Sequence, residues 1–342
     1  MRACVSLDLD DLWTYLKTHG DPAWAERPTF LPVFIPRVLE LLDRLDLRIT
    51  FFVVGADAAC PEHRALFGDL ARAGHEFGNH SHEHDPWLHL YPSEELEADL
   101  RRAEEAIREA TGHGVVGFRG PGFSWTPTLL EVLAARGYGF DASTLPTYLA
   151  PLARRYFLAR SALSDLERER RAGLFGSWRD GLRPVGPYYW RLPSGAKLLE
   201  IPVTTIPGLK LPFHMSYLLF LRRRSPRLMQ SYLRAAVLAS RTAGVGPSFL
   251  LHPLDLLGGE EVPGLGFFPG MDLSRREKTA AFADAFRILG DHFELVPMGR
   301  YAADLAGRGT LPLRDPQWQP PGPTAPDRAP ARDAGAPALP AK

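Results

Sequence analysis

Ile49-Thr50-Phe51-Phe52-Val53-Val54-Gly55, then a helical pattern from Pro61 to Ala73, then Glu76-Phe77-Gly78, decide the fold class of this chain. The first run is β-branched and aromatic, without polar alternation, so it predicts a strand buried on both faces. Gly74 ends the helical pattern, and the third piece is a short strand that leads into Asn79-His80-Ser81-His82-Glu83-His84. Strand, helix and strand in this order form a unit whose two strands lie parallel, joined by a right-handed crossover.

The rhythm repeats on both sides. Ala3 to Leu9 reads as a buried strand ending in acids, and Val33 to Leu45 as a helix with Val38, Leu41, Leu42 and Leu45 on one side. Ser93 to Thr111 is amphipathic, with Glu94 and Glu95 in its first turn and Gly112 as a stop. Val115 to Phe118 and Tyr138 to Asp141 read as strands around a helix from Thr126 to Arg136. Further strands follow at Leu198–Val203, Pro247–Leu251 and Phe293–Val296, with helices from Pro226 to Ala239 and Arg275 to Leu289. Such alternation predicts an α/β fold with a parallel sheet, closed as a (β/α) barrel or doubly wound. Residues 143–197 break the rhythm and read as a mid-chain insertion in a domain spanning 1–310, with helix near Ala159 to Arg171. Residues 311–342 are rich in Pro, Ala and Arg and are expected to be a disordered tail.

Composition removes several classes of function. Lys plus Arg and Asp plus Glu both number 40 in 342 residues, so no net field favours nucleic acid. Cys4 and Cys60 stand alone in apolar runs and read as small buried hydrophobes, not as a disulfide. No stretch is long and apolar enough for a transmembrane span, and the first residues lack the apolar core of a secretory signal, so a cytoplasmic protein is expected. Phe213 to Leu221, followed by Arg222-Arg223-Arg224, fits peripheral association with a membrane or an amphipathic stretch packed on the barrel.

The chemistry gathers at strand ends. Asp8 and Asp10, His80 and His84, Arg119, Asp141 and His252 each lie where a predicted strand finishes. In a (β/α) barrel those ends meet on one face, where active sites are built. Two imidazoles four residues apart with a carboxylate from another strand make a divalent-metal shell that leaves a position for water. Taken singly the residues stay ambiguous: Asp10 and Asp11 equally fit a loop cap, and Asp141 equally fits a turn cap or a partner for His252. His82 reads as a supporting or structural residue, while Glu83 and Asp85 read as solvated or as partners of a ligand imidazole. Tyr188, Tyr189, Trp190 and Phe213 fit either a substrate groove or packing.

Asp8-Leu9-Asp10, the stretch from Gly74 to His84, Phe118-Arg119-Gly120-Pro121 and Leu251-His252-Pro253 resemble, in order and spacing, the motifs of the polysaccharide deacetylases. This is the NodB-homology group, carbohydrate esterase family 4. The resemblance implies a distorted barrel of the NodB type, with Asp10, His80 and His84 as metal ligands. It further implies Asp8 as general base, Arg119 as the residue orienting it, and His252 as general acid. Pro121, Asp141, Tyr189 and Trp190 are the weaker candidates for the sugar site. Zinc leads for this ligand set, and the same ligands accept cobalt, nickel or iron. The expected reaction is removal of an N-acyl group, acetyl before others, from an amino sugar or glycan. The alternatives are a deformylase or deacetylase of a lipid-linked amino sugar and a non-catalytic carbohydrate-binding barrel. Decay of the site predicts a missing member, and all six principal residues are present. The chain departs from the family in its Asp-x-Asp first motif and in lacking a clear fourth motif with its tryptophan.

Overall fold

All of β1 (Arg2–Leu9) beyond its first residue is buried, as expected of a central strand flanked by parallel neighbours. The computed structural model describes residues 1–161, 163–262, 264–307 and 311–316. After β1 come α1 (Leu12–His19), α2 (Leu31–Arg44), β2 (Thr50–Val53), α3 (Gly55–Ala59), α4 (Arg64–Arg72) and β3 (Glu76–Asn79). The middle of the chain holds α5 (Ser93–Thr111), α6 (Pro127–Ala135), β4 (Phe140–Asp141), α7 (Ala150–Leu158), α8 (Asp165–Arg170), β5 (Tyr188–Arg191) and β6 (Lys197–Glu200). Then follow α9 (Met215–Arg222), α10 (Pro226–Thr242), β7 (Ser248–Leu251), α11 (Arg275–Gly290), β8 (Glu294–Val296), α12 (Met298–Ala306) and β9 (Leu313–Arg314).

The strands β3, β2, β1 and β7 pair in that order, all parallel, and β8 pairs with the start of β1. Phe118 bridges Asn79 on one side and Asp141 on the other, which joins this sheet to β4 and then to β6. Backbone N–H of Thr204, just past β6, donates to Ser248 O at 3.1 Å, and Ser248 N donates to Thr204 Oγ1 at 2.7 Å. The strands therefore curl into a distorted barrel with helices outside it. The strand expected at Val115–Phe118 contracts to the single bridging residue Phe118. The chain here runs tight against the next strand: a Cβ at Gly117 would meet the Phe140 ring at 2.4 Å.

The segment 143–197 is more regular than its composition suggests. Its helices are α7 and α8; α8, opened by a Ser164 capping box with Glu167, falls within the stretch Ala159–Arg171 where helix is expected, and α7 precedes it. Its end is sheet: β5 pairs antiparallel with β6. The expected tail is corrected at its start, because β9 pairs with β5, and the remainder, 317–342, lies outside the described residues.

No helix among the described residues is long and apolar enough to cross a membrane. Phe213 and, on α9, Met215, Leu218 and Leu219 are fully buried, with α9 packed against α10, α11 and β7. At about 1.5–3 kcal/mol for each large apolar side chain, peeling this stretch away would cost roughly 6–12 kcal/mol. It is a packed wall of the barrel, and the membrane-lying alternative for Phe213–Leu221 falls.

Candidate active site

β1 delivers Asp10 and β3 delivers the histidine loop to the same end of the barrel. Asp10 Oδ1 lies 3.3 Å from His80 Nε2 and 3.1 Å from His84 Nε2. One ligand atom from each residue falls within 4.8 Å of the others, and all three side chains are buried. Asp10 Oδ1 has no hydrogen-bond partner. A buried, orphaned carboxylate oxygen facing two imidazole nitrogens is what a divalent cation satisfies, so these residues fit a metal.

The loop is tied down side chain by side chain. His80 Nδ1 sits 2.6 Å from Arg119 O, which aims the opposite nitrogen, Nε2, at Asp10. Ser81 and His84 both hold positive φ, 63° and 49°, an uncommon backbone region for such residues. That shape persists because His84 N donates to Ser81 Oγ at 3.0 Å and Ser81 N to Asn79 Oδ1 at 2.8 Å. From α5, Asp99 accepts the N–H of His82 at 2.9 Å and of Glu83 at 3.3 Å. Burial pushes the Asp99 carboxyl up to about 6. Glu83 pairs with Arg27 and Arg102, and Asp85 is buried against Lys17 and Tyr91, so neither orients a ligand imidazole.

Asp8 stands one pleat back from Asp10 on the same face of β1. Arg119, fully buried, donates through Nη1 to Asp8 Oδ1 at 2.6 Å and to Ser6 Oγ at 2.9 Å. Its Nε donates to Ala142 O at 3.0 Å, and its guanidinium stacks 4.3 Å from the Phe52 ring. Across from it, at the end of β7, His252 Nε2 lies 3.9 Å from Asp8 Oδ2. The Nδ1 side of His252 is held by Ser216 Oγ of α9 at 3.1 Å, with Asp255 Oδ2 at 3.8 Å. Burial opposes a charge on His252, and the carboxylates of Asp255 and Asp8 outweigh it, raising the imidazole above its ordinary range.

Of the weaker candidates, Trp190 is fully buried, stacked on Trp125 with ring centroids 5.1 Å apart, and its Nε1 donates to Glu200 Oε2 at 3.0 Å. Tyr189 packs with the cluster holding Phe140 and Leu199. Trp190 and Tyr188 belong to the core because β5 is a sheet strand, Tyr189 packs half-buried against it, and Phe213 is buried just before α9. Asp141 does not reach His252. It accepts from Ser143 Oγ at 2.6 Å, and Ser143 Oγ accepts Gly120 N at 2.8 Å, so the acid shapes the turn after Arg119 in which Pro121 is buried. Burial pushes the Asp141 carboxyl up, and burial together with the Asp141 charge pushes the neighbouring Glu200 carboxyl well up.

Four further residues around the site carry little or no mark in the sequence. Asn79 and Asp99 hold the histidine loop, and Asp99 had a visible signal: it interrupts the apolar face of α5 made by Leu96, Leu100 and Ala103. Ser216 and His214, at the start of α9, were hidden beside an apolar run. The His214 ring centroid is 6.5 Å from that of His252, its Nδ1 has no partner, and burial pulls it down to about 4.

Comparison with known proteins fits this geometry. Residues 3–140 match the family model described as polysaccharide deacetylase. A chitooligosaccharide deacetylase from Sinorhizobium fredii (strain NBRC 101917 / NGR234) is 34% identical over 107 residues, 31% of this chain and 48% of that protein. The chain thus spans about half the length of this curated relative. Among solved structures, a candidate polysaccharide deacetylase from Mycobacterium smegmatis superposes with a TM-score of 0.57 at 20% identity, covering 96% of both chains. A 4-alpha-glucanotransferase from Thermococcus litoralis gives 0.51 at 13% identity, over 92% of this chain and 39% of that one. At such identities these two likenesses concern the fold alone.

Proposed function

We propose, from the match of residues 3–140 to the family model described as polysaccharide deacetylase, that this chain is a metal-dependent hydrolase that removes an N-acyl group, acetyl first, from an amino sugar or glycan. The observation that carries the reading is the meeting of Asp10, His80 and His84 with the Arg119-held Asp8 and with His252 opposite. Asp10, His80 and His84 would hold the cation. A divalent ion there supplies Lewis acidity toward an amide carbonyl and toward water.

The remaining work falls to the protein. Asp8, beside the Arg119 guanidinium, accepts the proton of the attacking water at Oδ2, the oxygen that faces His252. Arg119 fixes the rotamer of that carboxylate and shields it from solvent. His252, whose hold on a proton is strengthened by the Asp255 and Asp8 carboxylates, gives its Nε2 proton to the departing amine, a poor leaving group unless protonated. Ser216 fixes the ring so that Nε2 faces the reacting bond.

A lipid-linked amino sugar, deacetylated or deformylated, is the second reading. It is favoured by large apolar side chains exposed on the insertion, including Trp178 at 56% and Leu152 at 64%. One screen tests both: N-acetyl and N-formyl amino sugars, free, oligomeric and lipid-linked, assayed for released acetate or formate with and without chelator. Chelator-sensitive release from any of them supports the proposal. No release from the metal-loaded protein on all of them overturns it.

A further inference from the structure

Three separate stretches bring exposed apolar side chains to one surface. Tyr148, Leu152 and Tyr156 recur every four residues along α7 and just before it, so they share a face, and all are exposed. Trp178 and Leu182, four apart in the 3-10 turn Trp178–Leu182, are exposed at 56% and 67%. That turn abuts the start of α7, since a Cβ at Gly181 would meet the Tyr148 ring. Leu209, exposed at 65%, joins them from a loop fastened alongside: Lys210 Nζ donates to Arg183 O, and Thr205 Oγ1 donates to Pro146 O at 2.8 Å. Large apolar groups collected this way mark an interaction site.

Their charged company identifies the partner. Across residues 142–187 and 201–210 there are nine basic residues and four acids; three of the acids, Asp165, Glu167 and Glu169, lie on α8, and the fourth, Asp180, is buried and paired with Arg183. Arg155 is exposed on α7, and the Arg160 guanidinium lies 3.7 Å over the Tyr156 ring. Trp, Tyr and Leu with interleaved arginines are the composition of a helix that lies in a membrane interface, apolar groups inward and cations at the headgroups. The overall charge balance of the chain conceals this local excess.

We infer that the face formed by α7, the Trp178–Leu182 turn and Leu209 docks on an anionic lipid surface. It is mounted beside the candidate active site. Phe175 N donates to Gly122 O at 3.0 Å, three residues beyond Arg119, and Arg171 donates to Thr18 O at 3.0 Å and Lys17 O at 2.9 Å at the end of α1. Docking would thus hold the protein with this flank of the active-site end toward the bilayer.

Co-sedimentation of the full chain tests the inference, using vesicles of phosphatidylcholine alone and of phosphatidylcholine with phosphatidylglycerol in equal parts. The wild type is expected to pellet with the anionic vesicles, weakly with neutral ones, and less as salt is raised. Leu152→Asp combined with Trp178→Asp should weaken binding about tenfold or more, and Arg155→Glu with Arg160→Glu should weaken it independently. Phe220→Asp, on α9, should leave it unchanged. Thermal melting checks that each variant is folded. Wild type that stays in the supernatant with both vesicles, or folded variants of both kinds that pellet like wild type, would overturn the proposal. So would a dimer in solution that Leu152→Asp dissolves, since the face would then belong to a second copy. The readout is binding, so its failure leaves the proposed hydrolysis untouched.

Discussion

The two walls of the candidate site are built by opposite means. The wall of Asp10, His80 and His84 comes from β1 and β3, which flank β2, and its loop is tied largely by residues within or near that loop: Ser81, Asn79 and, one helix on, Asp99. The wall of His252 is assembled from afar. Its imidazole is steadied by Ser216, which is 36 residues away on α9, and by Asp255 from its own turn. A set of ligands needs a fixed mutual geometry, which one short loop can specify. A proton donor needs only a direction and a charge, which any adjoining element can provide.

Breaking the first wall should have the largest effect. His84→Ala should lose both bound metal and turnover to background, measured by metal analysis and product release; equal stoichiometric metal in variant and wild type would remove His84 from the shell. Asp8→Asn should keep its metal and lose about 10²–10⁴ in kcat, because only the proton acceptor is gone. Metal loss there would move Asp8 among the ligands.

The second wall should fail selectively. His252→Ala should slow amide cleavage by about 10²–10⁴ and an activated ester far less, since that leaving group departs without a proton. Equal losses on both substrates would count against an acid at this position. Its supports should tune more than abolish. Ser216→Ala removes a hydrogen bond worth roughly 1 kcal/mol, a five- to tenfold effect on kcat. Asp255 raises the His252 pKa, so Asp255→Asn lowers it, and the acid form is lost at lower pH. The alkaline limb of the kcat profile should therefore move down in pH; an unmoved limb would separate Asp255 from the acid.

The smallest effect concerns stability. Asp99 has its pKa raised from 3.8 to about 6, so folding favours its protonated form. Its contribution is complete below the unfolded value and is lost as pH rises through the folded one. Asp99→Asn should flatten the pH dependence of the melting temperature between 3.8 and about 6. An unchanged slope would place the titration elsewhere.

The same contrast explains what could be read from the chain. β2, α4 and β3 follow from apolar runs and a terminating glycine, and the barrel follows from their repetition. The six proposed site residues were legible because they lie at the ends of strands, at the bridging residue or in the loop just after β3. What stayed hidden depends on tertiary pairing. Tyr188-Tyr189-Trp190 looks like a sugar platform until its pairing with β6 buries Trp190 against Trp125. Phe213–Leu221 looks like a membrane surface until α10 and α11 cover it, while the face that remains exposed is assembled from three stretches with no common periodicity. Ser216 has no local signature at all, because its meaning lies in the imidazole it meets.

Arg119 has one further consequence. Its side chain grips Asp8, its backbone carbonyl aims His80, and its guanidinium is walled in by Phe52, Ala142 and Met298. The proposed base and the proposed cation site are therefore riveted to one another through a single residue, and neither can drift without the other. Divergence toward new acyl groups or sugars, in nature or by directed selection, has its freedom on the α9 side, where Ser216 and His214 can be exchanged without disturbing that rivet.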